Sequence, residues 1–253
     1  LLICSLDCKK VMSYASESNL VSLDLKLKKL SNPEKAKQMQ RFFKTRKGEY
    51  AEGNIFIGVS VPNLRKIAAE CKEKFLLDDL QEILNSKIHE KKSVALFVLV
   101  ETYKKSDETG KEEIFEFYLK NTKNITNWDL VDVSSPKIIG NYLLNKDRKI
   151  LYKLAKSKDL WERRIAIIST FEFIKSNQFE DTLKLSKILL NDRHDLIHKA
   201  VGWMLREVGK RDLKAEEKFL KQHYKQMPRT MFRYAIEKFN KEKKQKYLKI
   251  KIL

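Results

Sequence analysis

The sequence predicts an all-α protein, a solenoid of stacked helix pairs. Apolar residues recur at helical spacing through nearly the whole chain. Only seven glycines and four prolines occur in 253 residues, far below the roughly 12% combined share of an average protein. So few turn formers leave little room for a sandwich, a barrel or a Rossmann-type sheet. Finally, four helical stretches fall on one register with a period of about 36 residues, in the range of helical repeats.

Residues 1–11 are mildly apolar but interrupted by Asp7, Lys9 and Lys10, and lack the basic-then-apolar order of a signal peptide. Met12-Ser13 reads as a more natural beginning, so 1–11 are set aside as an extension or mis-called start. Ser31-Asn32-Pro33-Glu34 is a polar cap with Pro at the first helical position. Ser60-Val61-Pro62 gives a similar start before 64–74. Further helical stretches are expected at 76–86, 89–104, 111–121, 127–133, 136–145, 147–155, 160–175, 179–190, 195–209, 213–224 and 229–239. Residues 12–239 are read as one domain. The tail 240–253 carries six Lys and one Glu, a solvated or frayed helix that adds non-specific affinity for a polyanion or solubilises the end.

The net charge is +19, from 53 Lys and Arg against 34 Asp and Glu. Most of the excess lies in 12–239, so the folded body itself is basic. That balance suits a polyanionic partner, by counterion release if the partner is nucleic acid; a lysine-rich proteome is the competing explanation. Thirteen Phe, nine Tyr and three Trp are too many for a disordered chain. Cys4, Cys8 and Cys71 are too few for a disulfide framework or structural zinc, and point to a reducing, cytoplasmic setting. No apolar run approaches the 18 or so residues of a membrane span.

The register aligns His89–Leu96, Ile125–Asp132, Trp161–Ile168 and Leu196–Trp203. Its fourth position holds Lys92, Trp128, Arg164 and Lys199, and one turn later come Leu96, Asp132, Ile168 and Trp203. In a solenoid such equivalent positions become neighbours. A core stripe does not usually collect two tryptophans, a carboxylate and three cations, so these residues are a candidate site.

At these residues the chain resembles the AlkD-like DNA glycosylases, DNA alkylation repair proteins built of HEAT-like repeats. The matching segments are Asn127–Asp132, Trp161–Ala166, Lys199–Glu207 and Met227–Lys238, in the same order along the chain. The resemblance covers roughly 20–240. It implies a HEAT-like helical-repeat solenoid with a concave basic face that binds double-stranded DNA and excises N3- or N7-alkylated purines. It further implies that Asp132 is the catalytic carboxylate, Trp128 and Trp203 its aromatic partners, and Arg164 a phosphate contact. Lys92, Lys199, Arg206 and Phe42 join Arg164 as expected DNA-binding residues. Asn127 stands where family members often carry a second aromatic, and Phe42 where they often carry Tyr. A monomer is expected, nucleoid-associated in function, with no cofactor and no metal.

The chemistry fits the residues. A cationic alkylpurine leaves as a neutral base, and positive charge develops on the sugar as an oxocarbenium ion. One carboxylate stabilises that charge and orients water, and indole faces attract cations. Other residues read as scaffold. Thr126-x-x-Asp129 looks like a capping box, which assigns Asp129 to the helix start. Trp161 lies on an apolar stripe and is read as core. Arg163 competes with Arg164 for the DNA role, and only the register prefers the latter. His194 and His198 have the i, i+4 spacing of a zinc helix but lack the Glu and a third ligand. Two alternatives stay open: a non-enzymatic HEAT-repeat protein binding distorted or branched DNA, and a scaffold for an acidic protein.

Overall fold

The computed structural model describes residues 17–250. Residues 1–11, Cys4 and Cys8 lie outside them. The regular structure is helical, with no strand among the described residues and one isolated bridge, Ile55 to Ile88. No helix among them is long and apolar enough to cross a membrane. The chain divides into two compact units, the first ending at Ser134 and the second beginning at Ser135.

Unit 1 begins with α1 (17–30), which buries Leu23 and Leu27 one turn apart. Helix α2 (Pro33–Phe42) starts as its sequence dictates: Pro33 takes the first turn, and the Asn32 side chain accepts the Lys35 N–H at 2.9 Å. A long loop follows, then α3 (Val61–Cys71), α4 (Leu77–Asn85), α5 (His89–Lys105), α6 (Glu108–Lys120), a 3₁₀ turn (Thr122–Asn124) and α7 (Trp128–Ser135). Helix α5 is buried without a break from Ser93 to Val100, the mark of a helix packed on all sides.

The loop before α3 returns at Gly58, whose φ of +83° suits glycine. A Cβ there would lie 2.1 Å from the Asn32 carbonyl oxygen. The N–H groups of Ile57, Gly58 and Val59 all donate to Oε1 of the buried Glu90, at 3.0, 2.8 and 3.3 Å. One carboxylate on α5 thereby fixes the loop that brings Phe56 inward.

Unit 2 opens with a π-helical turn (Pro136–Gly140) where the sequence suggested an ordinary helix over 136–145. Pro136 has no N–H to return to the preceding turn, and the backbone widens there. Then come α8 (Lys149–Leu154), α9 (Leu160–Lys175), α10 (Glu180–Ile188), α11 (Asp195–Gly209), α12 (Leu213–His223), α13 (Arg229–Ala235), a 3₁₀ turn (Ile236–Lys238) and α14 (Lys241–Ile250). Helix α9, capped by Asp159, is buried without a break from Arg164 to Thr170 and packs against α11. Helix α11 packs in turn against α13. Gly202 makes that approach possible: a Cβ would fall 2.4 Å from the Met231 carbonyl oxygen.

Candidate functional site

In unit 1 the site residues cluster around the start of α7. Asn127, fully buried, accepts the Trp128 N–H through Oδ1 at 2.8 Å and so begins the helix. Lys92 on α5 braces the preceding loop, its ammonium donating to the Asn124 carbonyl at 2.9 Å and to Thr126 Oγ1 at 3.3 Å. Thr126 donates onward to Asn54 Oδ1 at 3.0 Å. Lys92 is 7% exposed, and burial lowers its pKa from 10.5 to about 8. Lys92, expected to contact DNA, is thus buried and engaged by the loop that precedes α7.

Trp128 caps a ladder of rings. Its indole stacks on Phe43 with centroids 5.3 Å apart, Phe43 stacks on Phe56 at 4.8 Å, and Phe56 on His89 at 4.3 Å. Phe42, 65% exposed, meets Trp128 edge-on at 6.0 Å. The far end is tied by the buried His89, whose Nε2 lies 2.8 Å from Asp129 Oδ2. From the first turn of α7, Asp129 therefore ties the ladder through His89 and makes no capping-box bond, which corrects that part of the sequence reading. Asp132, half-buried, stands one turn after Trp128 and on the same face of α7. Its charge adds to the burial that pushes the Tyr118 phenol above its ordinary range, while a 2.8 Å hydrogen bond to Ser134 opposes the shift.

Unit 2 supplies the remaining candidates. Arg164 on α9 is 5% exposed, and its Nη1 donates to the Leu196 carbonyl at the start of α11 at 2.6 Å. Arg163 is engaged by Asp192 at 2.6 Å and by the carbonyls of Ser157 and Lys158. On α11, Lys199 pairs with Asp195 at 2.6 Å. Trp203 is half-buried and faces Phe171 at 6.1 Å, with its indole N–H donating to Glu207 at 3.1 Å. Glu207 also receives Lys210 at 2.7 Å and pairs with Arg206, which reaches Glu237 too. Trp161 is buried, as its apolar stripe implies. His194 Nδ1 accepts the Leu196 N–H at 3.1 Å, and His198 Nε2 lies 2.5 Å from the Asp192 carbonyl. Both histidines thus finish the start of α11. Among the described residues no group of three His, Cys, Asp or Glu side chains is placed to hold a metal.

The sequence profile of a family described as DNA alkylation repair enzyme matches residues 23–239. The chain belongs to that family. A solved structure from Enterococcus faecalis, described as a predicted DNA alkylation repair enzyme, is similar in fold, with a TM-score of 0.65 and 17% identity. The match covers 83% of this chain and 97% of that one. No curated protein matches the sequence. As a DNA alkylation repair family member, the chain places Trp128, Asp132, Arg164 and Trp203 all within the matched span, and α14 beyond it.

Three residues that hold candidate side chains, two in unit 1 and one in unit 2, are absent from the expectations above. Phe43, not Phe42, is the ring stacked beneath Trp128; His89 anchors the ladder through Asp129; and Glu207 holds the Trp203 indole. Only Glu207 carried a local signal, four residues after Trp203 on one helix face.

Proposed function

We propose that this family member is a DNA glycosylase that hydrolyses the N-glycosidic bond of cationic N3- or N7-alkylated purines in duplex DNA. The observation that carries the reading is on α7: a half-buried carboxylate, Asp132, one helical turn from an indole, Trp128, whose plane is set by a stack of rings reaching into the core. Such pre-organisation matters where charge develops on a sugar and no general acid is required.

In this reading the bond between C1′ and the purine nitrogen breaks, and its electron pair neutralises the cationic base. Asp132 stabilises the oxocarbenium ion and orients the water that adds to C1′, the released proton passing to the carboxylate or to solvent. Trp128 offers an indole to the sugar or the cationic lesion, and Trp203, fixed by Glu207, is the second indole. Phe42 is the exposed ring available to DNA beside Trp128. Arg164 acts chiefly by joining α9 to α11, so that Lys199 and Arg206, less buried, carry more of the phosphate contact. The HEAT-like architecture and monomeric state belong to the same proposal.

The test separates catalysis from binding. Asp132→Asn is expected to lower excision by 10²-fold or more, on the order of the loss of one charge-stabilising group, with duplex affinity unchanged or improved. A proportional loss of both removes Asp132 from the chemistry. Binding unaffected by the variant, with no excision by the native chain, establishes a non-enzymatic DNA binder instead.

A further inference from the structure

Helix α14 lies beyond the residues the family profile matches, yet it is packed into unit 2. Tyr247 faces Phe239 at 5.4 Å and Phe232 at 6.2 Å, and Lys243 pairs with Glu217 at 2.8 Å. These contacts set α14 alongside α13 and leave a cleft of about 520 Å³ between them. Arg229, Arg233 and Tyr234 line it from α13, Glu237 from the 3₁₀ turn that follows, and Lys244 and Leu248 from α14.

The charge in this cleft is unbalanced. Arg229 and Arg233 are one turn apart on one face of α13. Neither they nor Lys244 has an ion-pair partner among the described residues. The adjoining acids are already matched: Glu237 by Arg206 and Lys238, and Asp195 by Lys199. Two guanidinium groups and an ammonium line one cleft whose single lining carboxylate, Glu237, is already engaged by Arg206 and Lys238; the three positive charges left over suit a tetrahedral oxyanion, since Arg binds phosphate bidentately and Lys as a point charge. Tyr234, at 36% exposure, and Leu248 add an apolar wall.

We propose that the α13–α14 cleft is a binding site for a backbone phosphodiester of nucleic acid, completed by Lys244 of α14. It shares with the glycosylase reading only the DNA partner. A phosphodiester with its sugar fits both walls of the cleft, whereas a free inorganic ion leaves the apolar wall unused. The site gives α14 a defined role, where composition alone suggested diffuse affinity or solubility.

The test measures affinity of the full chain for an undamaged duplex across a salt series by fluorescence anisotropy. Each lost phosphate contact lowers the slope of log K against log salt by roughly 0.9. Arg229→Gln with Arg233→Gln is therefore expected to lower it by about 2, and Lys244→Gln by about 1. A charge-matched control, Lys184→Gln with Lys187→Gln on α10, is expected to change it little. An unchanged slope in the cleft variants overturns the proposal, as does an equal loss in the control, which reveals a diffuse field. Loss of binding to phosphatidylglycerol vesicles with the duplex slope intact overturns it in favour of a membrane. If the double variant fails to fold, Lys244→Gln on the exposed helix decides. Base release is scored separately: slopes that fall without release by the native chain uphold the cleft and remove the glycosylase, and release with unchanged slopes does the reverse.

Discussion

At the scale of single residues, the side chains that set the site are largely not the ones expected to touch DNA. Lys92 is inside unit 1, holding the loop that delivers Trp128. Its folded pKa of about 8 lies below the ordinary 10.5, so between these values the unfolded chain binds more protons. The burial penalty is thus fully present below pH 8 and is relieved as pH rises towards 10.5. Lys92→Met is expected to abolish that rise in stability, on the order of 2 kcal/mol, in urea unfolding at pH 7.5 and 10. A parallel pH profile in the variant contradicts the assignment. Glu216 gives the opposite sign. Burial raises its carboxyl from 4.5 to about 8, with Glu217 adding to the shift, so its contribution is intact below pH 4.5 and is lost as pH climbs to 8. Glu216→Gln is expected to raise Tm at pH 8 and to change it far less at pH 5. The close approach of Glu216 to Gly209, where a Cβ would lie 1.6 Å from its Oε2, explains the burial.

At the scale of elements, α9 and α11 are joined by a guanidinium on a carbonyl and α11 and α13 by a missing side chain. Arg164→Ala removes the bond to Leu196 and is expected to cost about 1.5–3 kcal/mol, the range for a hydrogen bond to a charged group, seen as a lower urea midpoint. A salt slope for DNA that falls while the midpoint stays unchanged restores Arg164 to a phosphate. Gly202→Ala places a Cβ 2.4 Å from a backbone oxygen and is expected to destabilise by about 1–3 kcal/mol, as overpacking does; a neutral result means α13 is free to move away. Helices were legible because their signals are local: apolar period, Asn32 and Pro33 at one start, Pro62 at another. The aromatic ladder was not, since Phe43, Phe56, His89 and Trp128 are far apart in sequence and meet only through the loop that Glu90 holds. Nor did neighbouring residues reveal that Asp129 would choose His89 over the helix start, because that choice depends on a ring forty positions away.

At the scale of the whole molecule, family membership and an all-α fold agree with a net charge of +19 spread through the body of the chain. Charge of that size draws any polyanion; what distinguishes a repair enzyme is bond cleavage at a damaged base. The most direct measurement is release of free base from duplex DNA containing N7-methylguanine or N3-methyladenine, followed by chromatography for the native chain and for Asp132→Asn. Release of the alkylated base by the native chain, and its near-complete loss in the variant, are expected. Release at equal rates by both would contradict the role of Asp132, and release by neither, with DNA binding intact, would contradict the glycosylase itself.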